Sequence, residues 1–251
     1  MLKPSLEEVK ALAKQYNTIP VFYEFSADNQ TPLNIYTALS KDSRNSFILE
    51  SVSNGVQWNR YSFVGVSPKE EICITGNTAE IRTGDKIETK EVEQPIAFLK
   101  ERMAAYRSPV LEGAPNFTGG LIGYFGYDTV RYMEKKLTHV PEDDIHMPDC
   151  HLFLYEELLA YDHLTSNGIV ILNLHTDGDL GAQYAAAQWR AEELADIVRH
   201  YNPQPQIRQH HGESVVRSNL TKEQYSQMVR DAKEYIRNGD IFQIVLSQRF
   251  E

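Results

Sequence analysis

Residues 72–92 constrain the fold most. Ile72 to Thr75 alternates in polarity, Gly76-Asn77 turns, Thr78 to Thr83 returns, Gly84-Asp85 turns, and Lys86 to Val92 returns again. A two-residue loop that opens on glycine suits a type II′ hairpin, whose twist matches that of the strands it joins. The segment therefore reads as a three-stranded antiparallel meander. Further strands are expected at 21–25, 47–52 and 61–66, and two long ones at 151–162 and 168–175, joined through Thr165-Ser166-Asn167-Gly168.

Helical patterns surround these strands. Ser5-Leu6-Glu7-Glu8 is a capping box, with Val9, Leu12, Ala13 and Tyr16 on one face. Thr31-Pro32 is an N-cap followed by proline at the first helical position, opening a helix through about Leu39. Pro95 opens another, to about Tyr106. A long helix over about 179–199 carries a stripe of Tyr184, Trp189, Leu194 and Val198, expected to be buried. Residues 200–217 are polar, with two prolines and paired histidines, and read as a linker. Thr221-Lys222-Glu223-Gln224 is a second capping box, ahead of Tyr225, Met228, Val229, Ala232 and Ile236 at helical spacing. Asn238-Gly239 stops that helix. Residues 241–250 then read as a strand, with Phe242, Ile244, Leu246 and Phe250 on one face and Ile241, Gln243, Val245, Ser247 and Arg249 on the other.

The bulk properties narrow the function classes. With 25 basic and 35 acidic residues the net charge is −10, which disfavours nucleic acid as a partner. No apolar run approaches the roughly 18 residues that span a bilayer, so no membrane association is expected. The opening residues lack the basic-then-apolar layout of a signal peptide. Cys73 and Cys150 are too few for a disulfide framework, so a cytoplasmic location is expected.

Several residue groups invite a chemical reading. Gly119-Gly120-x-x-Gly123-x-x-Gly126 suggests a phosphate loop, but it lacks the Gly-Lys-Ser/Thr ending, and close backbone packing in a Gly-rich strand accounts for it more simply. Cys150-His151, with His146 nearby, suggests a metal site or a Cys/His nucleophile, yet matches no zinc spacing. His210-His211 sits in the linker. Glu50 ends an otherwise apolar strand, where its carboxylate suits a ligand ammonium or an ordinary ion pair with Arg60.

Five segments carry a resemblance, in order along the chain. They are Ile48-Leu49-Glu50-Ser51; Asn59-Arg60-Tyr61-Ser62-Phe63-Val64-Gly65; Phe117-Thr118-Gly119-Gly120-Leu121-Ile122-Gly123-Tyr124-Phe125-Gly126-Tyr127-Asp128 with Val130-Arg131-Tyr132; Ser218-Asn219; and the run from Ile236-Arg237-Asn238-Gly239-Asp240 through Ile241-Phe242-Gln243 to Gln248-Arg249. Together they resemble the large, chorismate-using subunits of anthranilate synthase, the component I family. The resemblance implies an α+β fold, a partial two-layer β-sandwich, largely antiparallel, with helices packed outside and truncated before the C-terminal half. It implies an N-terminal regulatory region over 1–200, a linker over 201–217, and the start of the chorismate-binding portion over 218–251. The implied reaction aminates chorismate with ammonia and eliminates pyruvate to give anthranilate, in tryptophan biosynthesis. Ammonia would come from a glutamine amidotransferase subunit, component II. Mg²⁺ would help hold chorismate, with its ligands and the catalytic residues in the C-terminal portion, outside this chain.

For this chain the resemblance implies a regulatory site. The family's Leu-Leu-Glu-Ser segment, part of a pocket for L-tryptophan as feedback inhibitor, matches Ile48-Leu49-Glu50-Ser51. Glu50 and Ser51 would contact tryptophan, Leu49 would line the pocket, and Tyr61 would contribute from the adjoining strand. Gln243 stands where related isochorismate-forming enzymes place a water-activating lysine; glutamine has no titrating group and cannot serve as general base. Two alternatives are the aminodeoxychorismate synthase large subunit of the folate pathway and a non-catalytic tryptophan-binding module.

Overall fold

The computed structural model describes residues 1–50, 60–140, 142–203 and 215–250. They belong to two compact units, Met1–Pro203 and Gln204–Glu251. The first unit runs α1 (Leu6–Leu12), β1 (Thr18–Ser26), α2 (Pro32–Leu39), β2 (Ser46–Leu49), β3 (Tyr61–Val66), β4 (Glu70–Thr75), β5 (Thr78–Thr83), β6 (Lys86–Glu91) and α3 (Pro95–Ala104). It continues with β7 (Gly120–Phe125), a 3-10 helix (Tyr127–Tyr132), β8 (Cys150–Tyr155), β9 (Glu157–Asp162), β10 (Asn167–His175) and α4 (Leu180–Arg199). The second contains α5 (Lys222–Asn238).

The meander forms as its turns dictate. Thr75 pairs with Thr78 and Thr83 with Lys86. Gly76 and Gly84 have φ of 55° and 58°, while Asn77 and Asp85 do not have positive φ, as a type II′ turn requires. The caps also form. Ser5 and Glu8 complete the capping box of α1, and the Thr31 hydroxyl accepts from the Asn34 N–H at the start of α2.

Two five-stranded sheets result, ordered β1-β10-β9-β3-β2 and β6-β5-β4-β8-β7, antiparallel throughout. Side-chain alternation sends each strand's apolar residues to two different cores. In the first sheet Val21, Val64, Leu159 and Val170 face α1, α2 and α4. Phe63, Leu158, Ala160 and Ile171 face the second sheet and meet Tyr155, Phe153 and Ile122. The second sheet's other face packs Ile72, Ile74, Cys150 and Leu152 against Leu99 and Phe98 of α3. The architecture is the expected α+β sandwich with helices on both outer faces.

In the first unit three expectations need correction. Residues 151–162 are two strands, not one. Tyr155 still pairs with Gly120 in the second sheet, but the Glu156 carbonyl accepts the Asn173 backbone and side-chain N–H groups, and Glu157 pairs with Leu172 in the first. The chain changes sheets at Glu156. In α4 the buried stripe is Ala187, Ala191, Leu194, Ala195 and Val198, and Trp189 is 66% exposed. Trp189 falls on the opposite, solvent-facing side of the helix from Ala187 and Ala191, whose small side chains let the helix sit close to the sheet. Finally, β2 spans Ser46–Leu49, shorter than 47–52; Glu50 lies outside the ladder and residues 51–52 lie outside the described chain.

In the second unit, α5 has its capping box at Thr221 and Gln224, and Gly239 closes it at φ 80°. Of its expected stripe only Ala232 is buried. Residues 241–250 are not a strand: among the described residues the segment forms a single bridge, Ser218 to Phe250. A strand exists only through inter-strand hydrogen bonds, so alternation alone does not make one. His210 and His211 lie outside the described residues.

Candidate functional site

The β2–β3 register brings Leu49 and Tyr61 to one end of the sandwich. Leu49 stands opposite Phe63, so Leu49, Phe63 and Tyr61 share the face turned toward the second sheet. An aromatic cluster fills that face. Phe47 meets Tyr155 edge-on at 4.7 Å, and Phe63 meets both Phe117 (5.4 Å) and Tyr61 (6.2 Å). Gly65 makes room for this, since a Cβ there would stand 2.2 Å from the Phe47 ring. Leu49 sits at the rim, 45% exposed, with Glu50 exposed beyond it. Tyr61 is half-buried, and burial pushes its hydroxyl pKa up. The structure thus brings Leu49 and Tyr61 onto one face. Ser51 lies outside the described residues. Gln243 is exposed in the second unit.

The alternative pairing of Glu50 with Arg60 does not occur. Asp162 takes the guanidinium in two parallel bonds, Nε to Oδ1 at 3.0 Å and Nη2 to Oδ2 at 2.7 Å. Asp162 lies directly across the β3–β9 ladder from Tyr61, and its side chain is 3% exposed. It also accepts from the Leu164 N–H and the Thr165 hydroxyl. Burial raises the Asp162 pKa, but the bonds from Arg60, Leu164 and Thr165 outweigh it and hold the carboxyl below the usual range. Nothing local in the sequence marks this carboxylate: it closes a strand where a surface residue is equally at home, and its register opposite Tyr61 exists only in the folded sheet.

At the other end of the same strands, Glu156 holds Lys69 Nζ at 2.8 and 2.9 Å and His175 Nε2 at 2.9 Å. This network borders a cleft of about 780 Å³ with Tyr106 and Phe98. It ties the sheet-switching corner to the end of β10.

The other chemical readings resolve into structure. A Cβ on Gly123 would meet the His151 carbonyl oxygen at 2.0 Å, and one on Gly119 would meet that of Tyr155 at 2.9 Å, so these glycines permit close strand approach. His151 Nε2 bonds Glu71 at 2.7 Å. Cys150 faces the opposite core, where burial pushes its thiol up to about 11, and burial likewise raises Cys73. A raised thiol pKa favours the protonated form, which does not suit an activated nucleophile. Among the described residues no group of three or more His, Cys, Asp or Glu side chains is arranged to hold a metal, and no helix is long and apolar enough to cross a membrane.

Comparison with known proteins agrees with this frame. The chain is 38% identical to anthranilate synthase component 1 of Acetivibrio thermocellus, over 99% of this chain and 51% of that protein. It is 36% identical to the Pseudomonas aeruginosa component 1, over 97% and 50% respectively. The crystal structure of anthranilate synthase component I from Streptococcus pneumoniae TIGR4 superposes with a TM-score of 0.57 at 26% identity, covering 88% of this chain and 46% of that one. The chain therefore spans about half the length of the relatives it matches. The family model described as chorismate binding enzyme matches residues 45–251, and the chain belongs to that family.

Proposed function

We propose that the chain is the N-terminal portion of an anthranilate synthase large subunit, which converts chorismate and ammonia to anthranilate and pyruvate. The observation that carries this is similarity to component 1 enzymes along almost the whole chain, 97–99% of it. In this reading residues 1–200 are regulatory, 201–217 a linker and 218–251 the start of the chorismate-binding portion. The role of this portion is allosteric. Leu49 and Tyr61 offer an apolar and an aromatic wall at the open end of the sandwich, and Glu50, exposed beside them, offers a carboxylate for an amino-acid ammonium. Ser51 completes the proposed L-tryptophan contact.

Chemistry belongs to the complete enzyme. Gln243 has no proton to give or take near neutral pH, which suits attack by ammonia rather than by water activated at that position. Ammonia would be delivered by a glutamine amidotransferase subunit in the cytoplasm. Mg²⁺ would supply an anchor for chorismate's carboxylate, and the described residues offer it no donor cluster, so no step through it is derived from this chain.

The test is to incubate the full-length gene product with chorismate and an ammonium salt and follow anthranilate fluorescence, with and without L-tryptophan. Anthranilate formation suppressed by tryptophan is expected. Aminodeoxychorismate as the product would overturn the assignment, and activity indifferent to tryptophan would overturn the regulatory site.

A further inference from the structure

At the Tyr61 end of the sandwich a cation is fixed over an aromatic ring by a buried anion. The Arg60 guanidinium carbon lies 5.0 Å from the centre of the Tyr61 ring. A guanidinium on an exposed turn would ordinarily sample many rotamers, and holding it costs side-chain entropy. Here Asp162 removes that freedom. Both its oxygens engage Arg60, and the carboxylate is itself fixed by the Leu164 N–H and the Thr165 hydroxyl, four hydrogen bonds in all. The neighbouring backbone is bolted down as well, since the His163 N–H donates to the Arg60 carbonyl at 2.9 Å. Tyr61 thus has the Arg60 cation 5.0 Å from its ring centre and the Phe63 ring 6.2 Å away.

We propose that Asp162 and Arg60 are positioning residues for the tryptophan site: the buried carboxylate clamps the guanidinium, and the clamped guanidinium sets the orientation of the Tyr61 ring against which the inhibitor packs. This rests on the regulatory reading of Leu49 and Tyr61 given above. Neither residue needs to touch the ligand. Their effect is pre-organisation: a wall held in place before binding does not have to be ordered during it. Arg60 is the more useful probe, because its side chain is 44% exposed and its loss leaves the cores intact.

The experiment measures L-tryptophan affinity of the full-length gene product by calorimetry, alongside its uninhibited turnover, for wild type, Arg60→Gln, Arg60→Lys, Asp162→Asn and the double variant Arg60→Gln/Asp162→Asn. Removing the ordered cation–aromatic contact should weaken tryptophan binding about two- to fivefold. Asp162→Asn should do the same, and the double variant should be no weaker than either single one, because both act through one link. Arg60→Lys should recover part of the loss, since an ammonium keeps the cation without the two-bond fork. Uninhibited turnover should be unchanged in Arg60→Gln. Unchanged tryptophan affinity in Arg60→Gln and Asp162→Asn, beside normal wild-type binding, overturns the positioning role and leaves the regulatory reading intact. Additive losses in the double variant also overturn it. Absence of tryptophan binding in the wild type overturns the regulatory reading and this role with it.

Discussion

Gly123→Ala separates a packing glycine from a phosphate-cradling one. Gly123 pairs with Leu152 on β8, and an ideal Cβ there would stand 2.0 Å from the His151 carbonyl oxygen and 2.9 Å from the Leu152 Cα. Both neighbours are backbone, so no side chain can rotate away. A carbon–oxygen contact relaxes at about 3.3 Å, so the strands must part by roughly 1.3 Å. That stretch breaks the flanking ladder bonds, each worth about 1 kcal/mol net. Overpacking strain adds about 1–3 kcal/mol. Because β7 is the edge strand of its sheet it can peel away, which limits the total to about 2–4 kcal/mol. Gly76→Ala is the control. Gly76 has φ +55° and nothing within 4 Å of an added Cβ, so it bears only the backbone penalty of a positive φ, about 1–3 kcal/mol. Urea unfolding followed by circular dichroism reads both. A 3 kcal/mol loss lowers the thermal midpoint by roughly 6–12 °C in a unit of this size. If Gly123→Ala unfolds within about 0.5 kcal/mol of wild type, the strand approach is not what the glycine serves. A variant of normal stability that loses stabilisation by inorganic phosphate would restore the phosphate-loop reading.

Other perturbations test other parts of the frame. Glu70, buried at the start of β4, is held by the Arg102 guanidinium of α3; Arg102→Ala strands that carboxylate and should cost about 3 kcal/mol in urea unfolding, against little change in Glu70→Gln/Arg102→Met. Because the Asp162 carboxyl is held below its ordinary pKa, its contribution is present above the unfolded value of about 3.9 and is lost as pH falls through the lower folded value, so wild type should lose stability on acidification in that window more steeply than Asp162→Asn. Trp189→Ala should leave the thermal midpoint almost unchanged, whereas Val198→Ala, at a fully buried position, should cost roughly 2 kcal/mol. Cys150 should resist thiol reagents at neutral pH until the protein is unfolded; rapid native labelling would contradict its burial.

The contrast between what the chain's letters disclosed and what they hid follows the range of the forces involved. Gly76-Asn77, Gly84-Asp85, Ser5 with Glu8, and Thr221 with Gln224 were legible because each device acts within four residues. The break at Glu156 was hidden because nothing local breaks the strand. Asn173, Lys69 and His175 capture Glu156 from elsewhere in the chain and turn it from one sheet to the other. Trp189 is exposed because size, not hydrophobicity, decides which face of α4 meets the sheet: alanines at 187, 191 and 195 permit the close approach. At the candidate site, Leu49 and Tyr61 could be named from resemblance, but their shared face depended on a register that only the folded sheet fixes. The Asp162 clamp lay outside both kinds of inference: an aspartate at a strand's end is buried or solvated according to what stands across the ladder.

The alternation in 241–250 makes the same point from the other side. Phe242 is 93% exposed and Val245 83% exposed, although the pattern assigns them to opposite faces of a strand. Each residue's preference is for a pleated, half-covered surface, and that preference is realised only when a second strand supplies the hydrogen bonds. Among the described residues Asn219 and Ser218 meet the end of the segment, through Gln248, Arg249 and Phe250, while the helix before it is already closed by its own Gly239. The helix needs nothing beyond its own residues to stop; the strand needs a neighbour to start. Gln243 inherits that condition, so any role it has in the chemistry proposed for the complete enzyme depends on the pairing that would orient its side chain.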